Sequence, residues 1–380
     1  MKAVTYQGLF NVKVKEVHDP KIEKGDDLIV RVTASSICGS DLHLYHGMIP
    51  SLEKDYVIGH EAVGIVEETG QKVEKFKKGD KVVIPFNIAC GQCFFCENDL
   101  ESQCDVANQE DQAEIGAFYG CSRIYGDYWG SQAELVRVPF ANFSPFYIPE
   151  ECEITDDQLV LLTDALPTAY WGVENSGMKP GDTVIVLGSG PIGLLTQKIA
   201  WLKGAERVIA VDHIPYRLQH AKKTNKVEAY NFDEIDELPS LLKEMTKGGA
   251  DVVIDCVGVS GKMKPIELIE TAMHLQGGAL GAINTATQAV RKGGTVQLVG
   301  VYGLRYNSFP LGDFFTRNVT LKMGMAPVIH KIGYLYQLLQ NQTLDVSDLI
   351  THYMPLNDGE EAYKIFNKRK DECLKIILKP

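Results

Sequence analysis

Residues 183–193 read TVIVLGSGPIG. The unbroken run of β-branched and apolar residues fits a strand buried on both faces, as in a parallel sheet between helix layers. It ends in G-x-G-x-x-G, formed by Gly188, Gly190 and Gly193, and the following LLTQKIAWLKG reads as a helix closed by Gly204. A glycine motif alone is weak. Here the next strand, RVIAVD (207–212), ends on Asp212, 24 residues after Gly188. Strand, turn, helix, strand and acid then form a dinucleotide-binding unit. The glycines permit a tight turn, close approach of a pyrophosphate and close helix packing, while the helix N-terminus offers free N–H donors. Gly188, Gly190, Pro191, Ile192 and Gly193 are therefore the expected phosphate-side contacts. Asp212 would accept hydrogen bonds from an adenosine ribose and repel the extra phosphate of NADP, so NAD is expected. Arg217, five residues on, either stacks on adenine or softens that bias. A structural turn with no phosphate is the competing reading.

Outward from this unit, EAYNFD (228–233), DVVIDCVG (251–258), GTVQLVG (294–300) and VTLKMG (319–324) bring the strands to six. The expected fold class is α/β, with a six-stranded doubly wound parallel sheet. The long connection 259–277 between two of these strands reads as an insertion or an extra helix. The first 150 residues differ: short strands such as LIVRVTAS (28–35), AVGIVEET (62–69) and KVVIPF (81–86) alternate with Gly- and Pro-rich turns, which reads as a β-rich, barrel-like domain. ITDDQLVLL opens a helix with Thr155 and Gln158 at capping-box spacing, and LPTAYWGVENSG a second that stops at Gly177. Helical patterns at 331–340 and 359–367 and the strand-like CLKIILK end the chain. The expected division is 1–152 with 325–380 as one domain and 153–324 as the other.

Composition narrows the classes. Apolar residues make up 45% and charged residues 23% of 380, enough for packed cores. The net charge of −12, without a basic block, argues against a nucleic-acid partner. No apolar run is long enough to span a bilayer and the first residues do not read as a signal peptide, so no membrane role is expected and the cytoplasm is the expected location. Disulfides rarely persist there, so clustered cysteines are more often metal ligands.

CGQCFFCENDLESQC (90–104) places Cys90, Cys93, Cys96 and Cys104 at C-x2-C-x2-C-x7-C, in a lobe of about residues 88–106. Four thiolates on a turning backbone suit a closed, structural zinc; an iron–sulfur cluster or free thiols are the alternatives. A reactive metal needs an open position. Cys38 in SSICGSDLH, His60 and Glu61 in VIGHEAVGIV, and Asp164 in LLTDALPTAYWG offer ligand types. By spacing alone they are as readily packing residues.

The order of these motifs resembles the zinc-dependent medium-chain alcohol dehydrogenases over nearly the whole chain: Cys38-Gly-Ser-Asp, GHEAVGIVEETG, the cysteine lobe, then the glycine fingerprint. The resemblance implies a GroES-like catalytic domain and two zincs per chain, with Cys38, His60 and Asp164 holding the catalytic one. Asp in the third place, where many members carry Cys, resembles the glutathione-independent formaldehyde dehydrogenase branch. It further implies that Glu61 lies near the metal, that Asp41 orients the His60 ring, and that Ser40 and His43 relay the alcohol proton, an ordinary imidazole pKa suiting the task. By resemblance, Gly39, Val257, Val299 and Val301 touch the coenzyme and Phe86 walls the substrate pocket, with a core phenylalanine the competing reading; Lys375 either supplies charge near the pyrophosphate or is solvated, and Tyr128 and Trp129 are candidates to reach the cleft. The implied activity is hydride transfer between a small alcohol or aldehyde and NAD. Formaldehyde dehydrogenase or dismutase activity with tightly held NAD is one alternative, and a non-catalytic nucleotide-binding relative another. A homo-oligomer, dimer or tetramer, is expected, with VTLKMG a candidate for pairing between subunits.

Overall fold

The computed structural model describes residues 1–49, 51–108, 115–258, 279–303, 306 and 308–380. The long connection 259–277 lies outside the described residues. The chain divides into two compact units, Met1–Pro167 with Pro327–Pro380, and Thr168–Ala326. In chain order the strands are β1 (Lys2–Gly8), β2 (Asn11–Glu16), β3 (Leu28–Ser36), β4 (Ala62–Thr69), β5 (Lys81–Ile84), β6 (Asn87–Ile88), β7 (Ala117–Phe118), β8 (Leu135–Val138) and β9 (Phe146–Ile148). The second unit follows with β10 (Thr183–Leu187), β11 (Arg207–Asp212), β12 (Glu228–Asn231), β13 (Ala250–Asp255), β14 (Val290–Leu298) and β15 (Thr320–Met323). β16 (Ile350–Pro355) and β17 (Lys375–Lys379) return to the first.

In the second unit the order β12-β11-β10-β13-β14-β15 is parallel throughout. The chain winds outward from β10 in one direction, then crosses to β13 and winds in the other. That makes the junction of β10 and β13 the switch point where such sheets bind ligands. Val184, Ile185, Val186, Val252, Val253 and Ile254 are buried along it, as the continuous apolar runs require. Among the described residues β15 is an edge strand, paired with β14.

The first unit holds a seven-stranded sheet of order β16-β17-β3-β4-β5-β9, with β8 also on β3. Leu28, Val30, Val32, Val66, Val82, Ile84, Val136 and Val138 share its core, following the alternation of their strands. KVVIPF is a strand only to Ile84 because Pro85 has no N–H to pair. A second core joins Ile58, Ile376 and Leu378 to Tyr363 and Phe366 of the helix Gly359–Lys368.

Residues 153–167, expected in the nucleotide-binding half, pack with the first unit. The capping box of Thr155 and Gln158 starts a short helix, Asp156–Leu159. Asp156 then accepts from Thr33 Oγ1 (2.5 Å) and Lys81 Nζ (2.8 Å), Asp157 pairs with Lys379, and Phe86 N donates to Thr163 O (3.0 Å). These bonds to β3, β5 and β17 decide the boundary.

The returning segment is held by side chains near the cysteine lobe. Val328 N donates to Asn87 Oδ1 at 3.1 Å, and His330 reaches Glu101 Oε1 with its backbone N (3.1 Å) and Nδ1 (2.8 Å). Glu101 is 1% exposed; burial raises its carboxyl, but the bonds and charge of His330 outweigh that and hold it below the ordinary glutamate value. A depressed folded-state pKa contributes stability that is present above the unfolded value and lost as pH falls. Glu101→Gln is therefore expected to cost about 1–3 kcal/mol in urea unfolding near neutral pH. Its difference from the wild type should shrink as pH drops below about 4.3, the ordinary glutamate value.

Candidate metal centres and nucleotide site

β3 ends at Ser36 and runs into Ile37, Cys38 and the short helix Asp41–Tyr45. His60 and Glu61 stand just before β4, which pairs with β3, so the two ligand-bearing stretches meet by sheet register, with Ser35 opposite Ala62. Asp164 arrives at the start of the helix Ala165–Ser176. Cys38 Sγ and His60 Nε2 each lie 3.2 Å from Asp164 Oδ2. With an oxygen of Glu61 they form a set whose ligand atoms all lie within 4.8 Å of one another. All four residues are buried.

The donor set fits zinc: one thiolate, one imidazole nitrogen and carboxylate oxygens are its common ligands. The electrostatics point the same way. Burial first, then the charges of Asp164 and Glu61, push the Cys38 thiol up. Burial alone would lower the His60 imidazole, but the charge of Asp41 and hydrogen bonds with Asp164, Asp41 and Cys38 hold it well above its usual value. A thiol and three carboxyls gathered in the interior need positive charge, and a divalent cation supplies it. Glu61 Oε1 is buried without a hydrogen-bond partner among the described residues, as an oxygen facing such a cation would be.

Glu61 Oε2 is engaged on its other side by Ser36 Oγ and, at 2.5 Å, by Lys375 Nζ. Sequence reasoning put Lys375 near the pyrophosphate; instead its side chain is 1% exposed and paired with Glu61. Burial works against its ammonium, yet Glu61, Cys38 and Asp164 keep its pKa raised. A signal was present: Lys375 interrupts CLKIILK, where its neighbours are all buried, and a buried lysine needs an acid.

Ser40 Oγ lies 3.3 Å from His60 Nε2, at the edge of the ligand set. His43 donates its backbone N–H to Ser40 O at 3.0 Å. The sequence reading of an ordinary imidazole pKa is corrected here: at 7% exposure, burial and then His46 push His43 down to about 4 against Asp41, leaving a neutral ring. Gly39 precedes Ser40 in the same loop. Phe86 stands beside the His60 ring, centroids 6.0 Å apart, and continues into Phe118 at 5.4 Å. Tyr128 and Trp129 serve packing: Tyr128 Oη donates to Ala107 O (2.9 Å), and the Trp129 ring meets His18 at 4.4 Å.

In the lobe, Cys93 Sγ is 3.5 Å from Cys96 Sγ and 3.9 Å from Cys104 Sγ, and Cys90 Sγ is 3.9 Å from Cys96 Sγ. These are far beyond the roughly 2.05 Å of a disulfide. They match the roughly 3.8 Å between corners of a tetrahedron with about 2.3 Å zinc–sulfur bonds. Burial pushes the Cys96 thiol up and Cys104 up to about 11, a cost that a bound dication removes.

In the second unit Gly188 has φ +88°, and a Cβ on Gly193 would come within 1.9 Å of Gly188 O, so helix and turn touch only because both are glycine. Gly190 caps the helix Pro191–Leu202, with Pro191 in its first turn and Ile192 next. Asp212 receives Ser189 N (2.6 Å), His213 N (2.6 Å) and Ile214 N (3.0 Å), tying the acid to the turn. The Arg217 guanidinium lies 3.4 Å from the position of a Cβ on Gly190, and its buried Nε has no hydrogen-bond partner among the described residues. An unsatisfied guanidinium donor beside a helix N-terminus suits a phosphate. Val257 packs on Gly188, 2.9 Å from the place of its Cβ; Val299 donates to Asp255 O at 2.9 Å, and Val301 lies backbone to backbone with Gly258.

The chain is similar to known proteins along its length. Residues 24–150 match the family model described as alcohol dehydrogenase GroES-like domain, and 191–265 match zinc-binding dehydrogenase. An uncharacterized zinc-type alcohol dehydrogenase-like protein, AdhB, of Bacillus subtilis is 58% identical over the full length of both chains. The glutathione-independent formaldehyde dehydrogenase of Pseudomonas aeruginosa is 30% identical over 96% of this chain and 94% of its own. Among solved structures, the alcohol dehydrogenase TADH from Thermus sp. ATN1 superposes with TM-score 0.85 at 33% identity, covering 100% of this chain and 99% of that one. No helix among the described residues is long and apolar enough to cross a membrane.

Lys375→Met strands the Glu61 charge in the interior and is expected to cost about 3–5 kcal/mol in urea unfolding. Adding Glu61→Gln should recover most of that loss, because no buried charge is then left alone.

Proposed function

The chain belongs to the zinc-dependent medium-chain alcohol dehydrogenase family, and from that membership we propose that it oxidises a small alcohol, or reduces the matching aldehyde, with NAD as hydride carrier. The observation that carries this reading is the convergence of Cys38, His60 and Asp164, with Glu61, on one buried point. Bound there, zinc supplies the Lewis acidity that makes an alcohol hydroxyl acidic, and the nicotinamide supplies the hydride acceptor.

The remaining work falls to side chains. Cys38, His60 and Asp164 would hold the catalytic ion, and Cys90, Cys93, Cys96 and Cys104 the structural one. Ser40 Oγ, beside the His60 ring, takes the hydroxyl proton of the substrate while passing on its own. His43, neutral through burial, offers a lone pair that carries this proton onward but does not store it. Phe86 and Phe118 make the wall beside His60 apolar, which favours a small uncharged substrate. Gly188, Gly190, Pro191, Ile192 and Gly193 would hold the pyrophosphate and Arg217 a phosphate oxygen. Gly39, Val257, Val299 and Val301 would complete the coenzyme contacts. Asp212 favours NAD, since an extra phosphate beside a buried carboxylate is repelled.

A second reading is supported by Asp164 in the third ligand place and by the formaldehyde dehydrogenase relative: turnover of formaldehyde on a retained coenzyme. The cytoplasm is the proposed setting, in line with nine cysteines free of disulfides. A homo-oligomer is proposed from the open edge of β15 and the exposed Leu311 (68%), Phe315 (82%) and Met323 (56%).

Purified protein is expected to carry two zincs per chain by elemental analysis, and Cys38→Ser to fold with one and lose turnover. Wild-type rates in Cys38→Ser would refute the assignment. In a screen of short alcohols, sorbitol and formaldehyde, NAD is expected to exceed NADP at least tenfold in kcat/KM. Equal use of both would overturn the role given to Asp212.

A further inference from the structure

Asp41, which faces the His60 ring, is itself held by residues distant in sequence. Its Oδ1 lies 3.1 Å from His60 Nδ1, and its Oδ2 accepts from Cys38 N at 2.9 Å and from Gln132 Nε2 at 3.2 Å. The same Gln132 nitrogen donates to Ser36 O at 3.0 Å, and Gln132 Oε1 accepts the Tyr363 hydroxyl at 2.8 Å. Asp41, Gln132 and Tyr363 are each 0% exposed.

We propose that Gln132 and Tyr363 are positioning residues for the catalytic metal centre, acting through Asp41 on the His60 ring. The inference rests on the assignment of Cys38, His60 and Asp164 as ligands. An amide presents either its NH2 or its oxygen to a neighbour, and the two ends are nearly equal in shape. Were the Gln132 amide turned over, its oxygen would face the Asp41 carboxylate and the Ser36 carbonyl, both acceptors, so those two groups exclude that orientation. Tyr363 anchors the other end of the amide by donating to Oε1. Burial holds its phenol well above its ordinary pKa, so it stays protonated. With Oδ2 of Asp41 taken by two N–H donors, Oδ1 makes no hydrogen bond among the described residues and is left facing the ring as an ion-pair contact at 3.1 Å. A carboxylate at Nδ1 keeps the proton there and leaves the Nε2 lone pair on the side of Asp164 and Cys38.

A second observation supports the arrangement. Gly59, just before His60, has φ +92°, and a Cβ there would sit 2.3 Å from Gln132 Cγ. Backbone bonds from Gly130 N to Val57 O (2.8 Å), Ser131 N to Gly59 O (2.9 Å) and Gln132 N to Ile58 O (3.1 Å) run beside it. The side chain of Gln132 is thus packed directly on the turn that presents His60. Tyr363 comes from the helix Gly359–Lys368, 231 residues beyond Gln132, so the C-terminal segment takes part in shaping the ligand set.

The cysteine lobe provides an internal control, because among the described residues its ligands bond within the lobe and not to Asp41, Gln132 or Tyr363. The experiment exchanges both metals of the intact protein for cobalt and follows their release to a chelator. The four-thiolate lobe and the one-thiolate site differ in the strength of their sulfur-to-metal charge-transfer bands. Tyr363→Phe, and independently the near-isosteric Gln132→Met, are expected to loosen metal at the one-thiolate site by about ten- to a hundredfold, with the lobe unchanged. In an Asp41→Asn background Tyr363→Phe should add little. Equal loosening at both sites, or none at either in a protein that holds both metals, overturns this inference alone. A wild-type protein that binds metal only in the cysteine lobe overturns it together with the ligand assignment.

Discussion

Glu61 and Lys375 are separated by 314 residues and meet at 2.5 Å in an interior where neither charge is tolerable alone. That requirement shapes the first unit. Lys375 opens β17, and β17 runs antiparallel to β3 with Ile377 opposite Ser36 and Leu378 opposite Ser35. Ser36, the last residue of β3, also bonds Glu61. The pair therefore sets where the chain returns after the nucleotide-binding unit and in which register it docks. A buried ion pair contributes little net stability compared with apolar packing. Its value here is that any slip of β17 would leave two unpaired charges.

The same end of β3 feeds the loop that carries Cys38 and Asp41, and β4, its neighbour, begins just after His60 and Glu61. The metal centre is thus built from sheet register. It gathers acids at a depth where they need compensation, and Lys375 provides only one positive charge. The cysteine lobe answers a different need. Its ligands come from one local stretch and lie 3.5–3.9 Å apart, so a closed ion there organises a loop with little regular structure. The nucleotide turn needs no metal. Backbone donors at a helix start and the unsatisfied Nε of Arg217 provide its positive character.

Several features are decided within short sequence spans. The glycine fingerprint, its flanking strands and Asp212 lie within 30 residues, and the resulting parallel sheet has the six strands read from apolar runs. The four cysteines lie within fifteen residues, and any compact path of that stretch brings them together. The capping box at Thr155 and Gln158 is legible for the same reason. In each case the relevant interactions are between neighbours along the chain, or depend on a pattern that repeats at a fixed period.

Other features are not local. Cys38, His60 and Asp164 resemble packing residues until the strands bring them within 4.8 Å. His43 reads as an ordinary histidine until burial strips its charge. Residues 153–167 continue into a helix of the second unit, yet bonds from Asp156 and Asp157 to Thr33, Lys81 and Lys379 tie them to the first. The amino-acid sequence by itself determined the secondary elements, the coenzyme turn and the cysteine cage, since these depend on propensity, period and spacing. Tertiary structure alone decided which acid neutralises Lys375, where the units divide and how the His60 ring is aimed, because burial and pairing of charge are properties of neighbours in space.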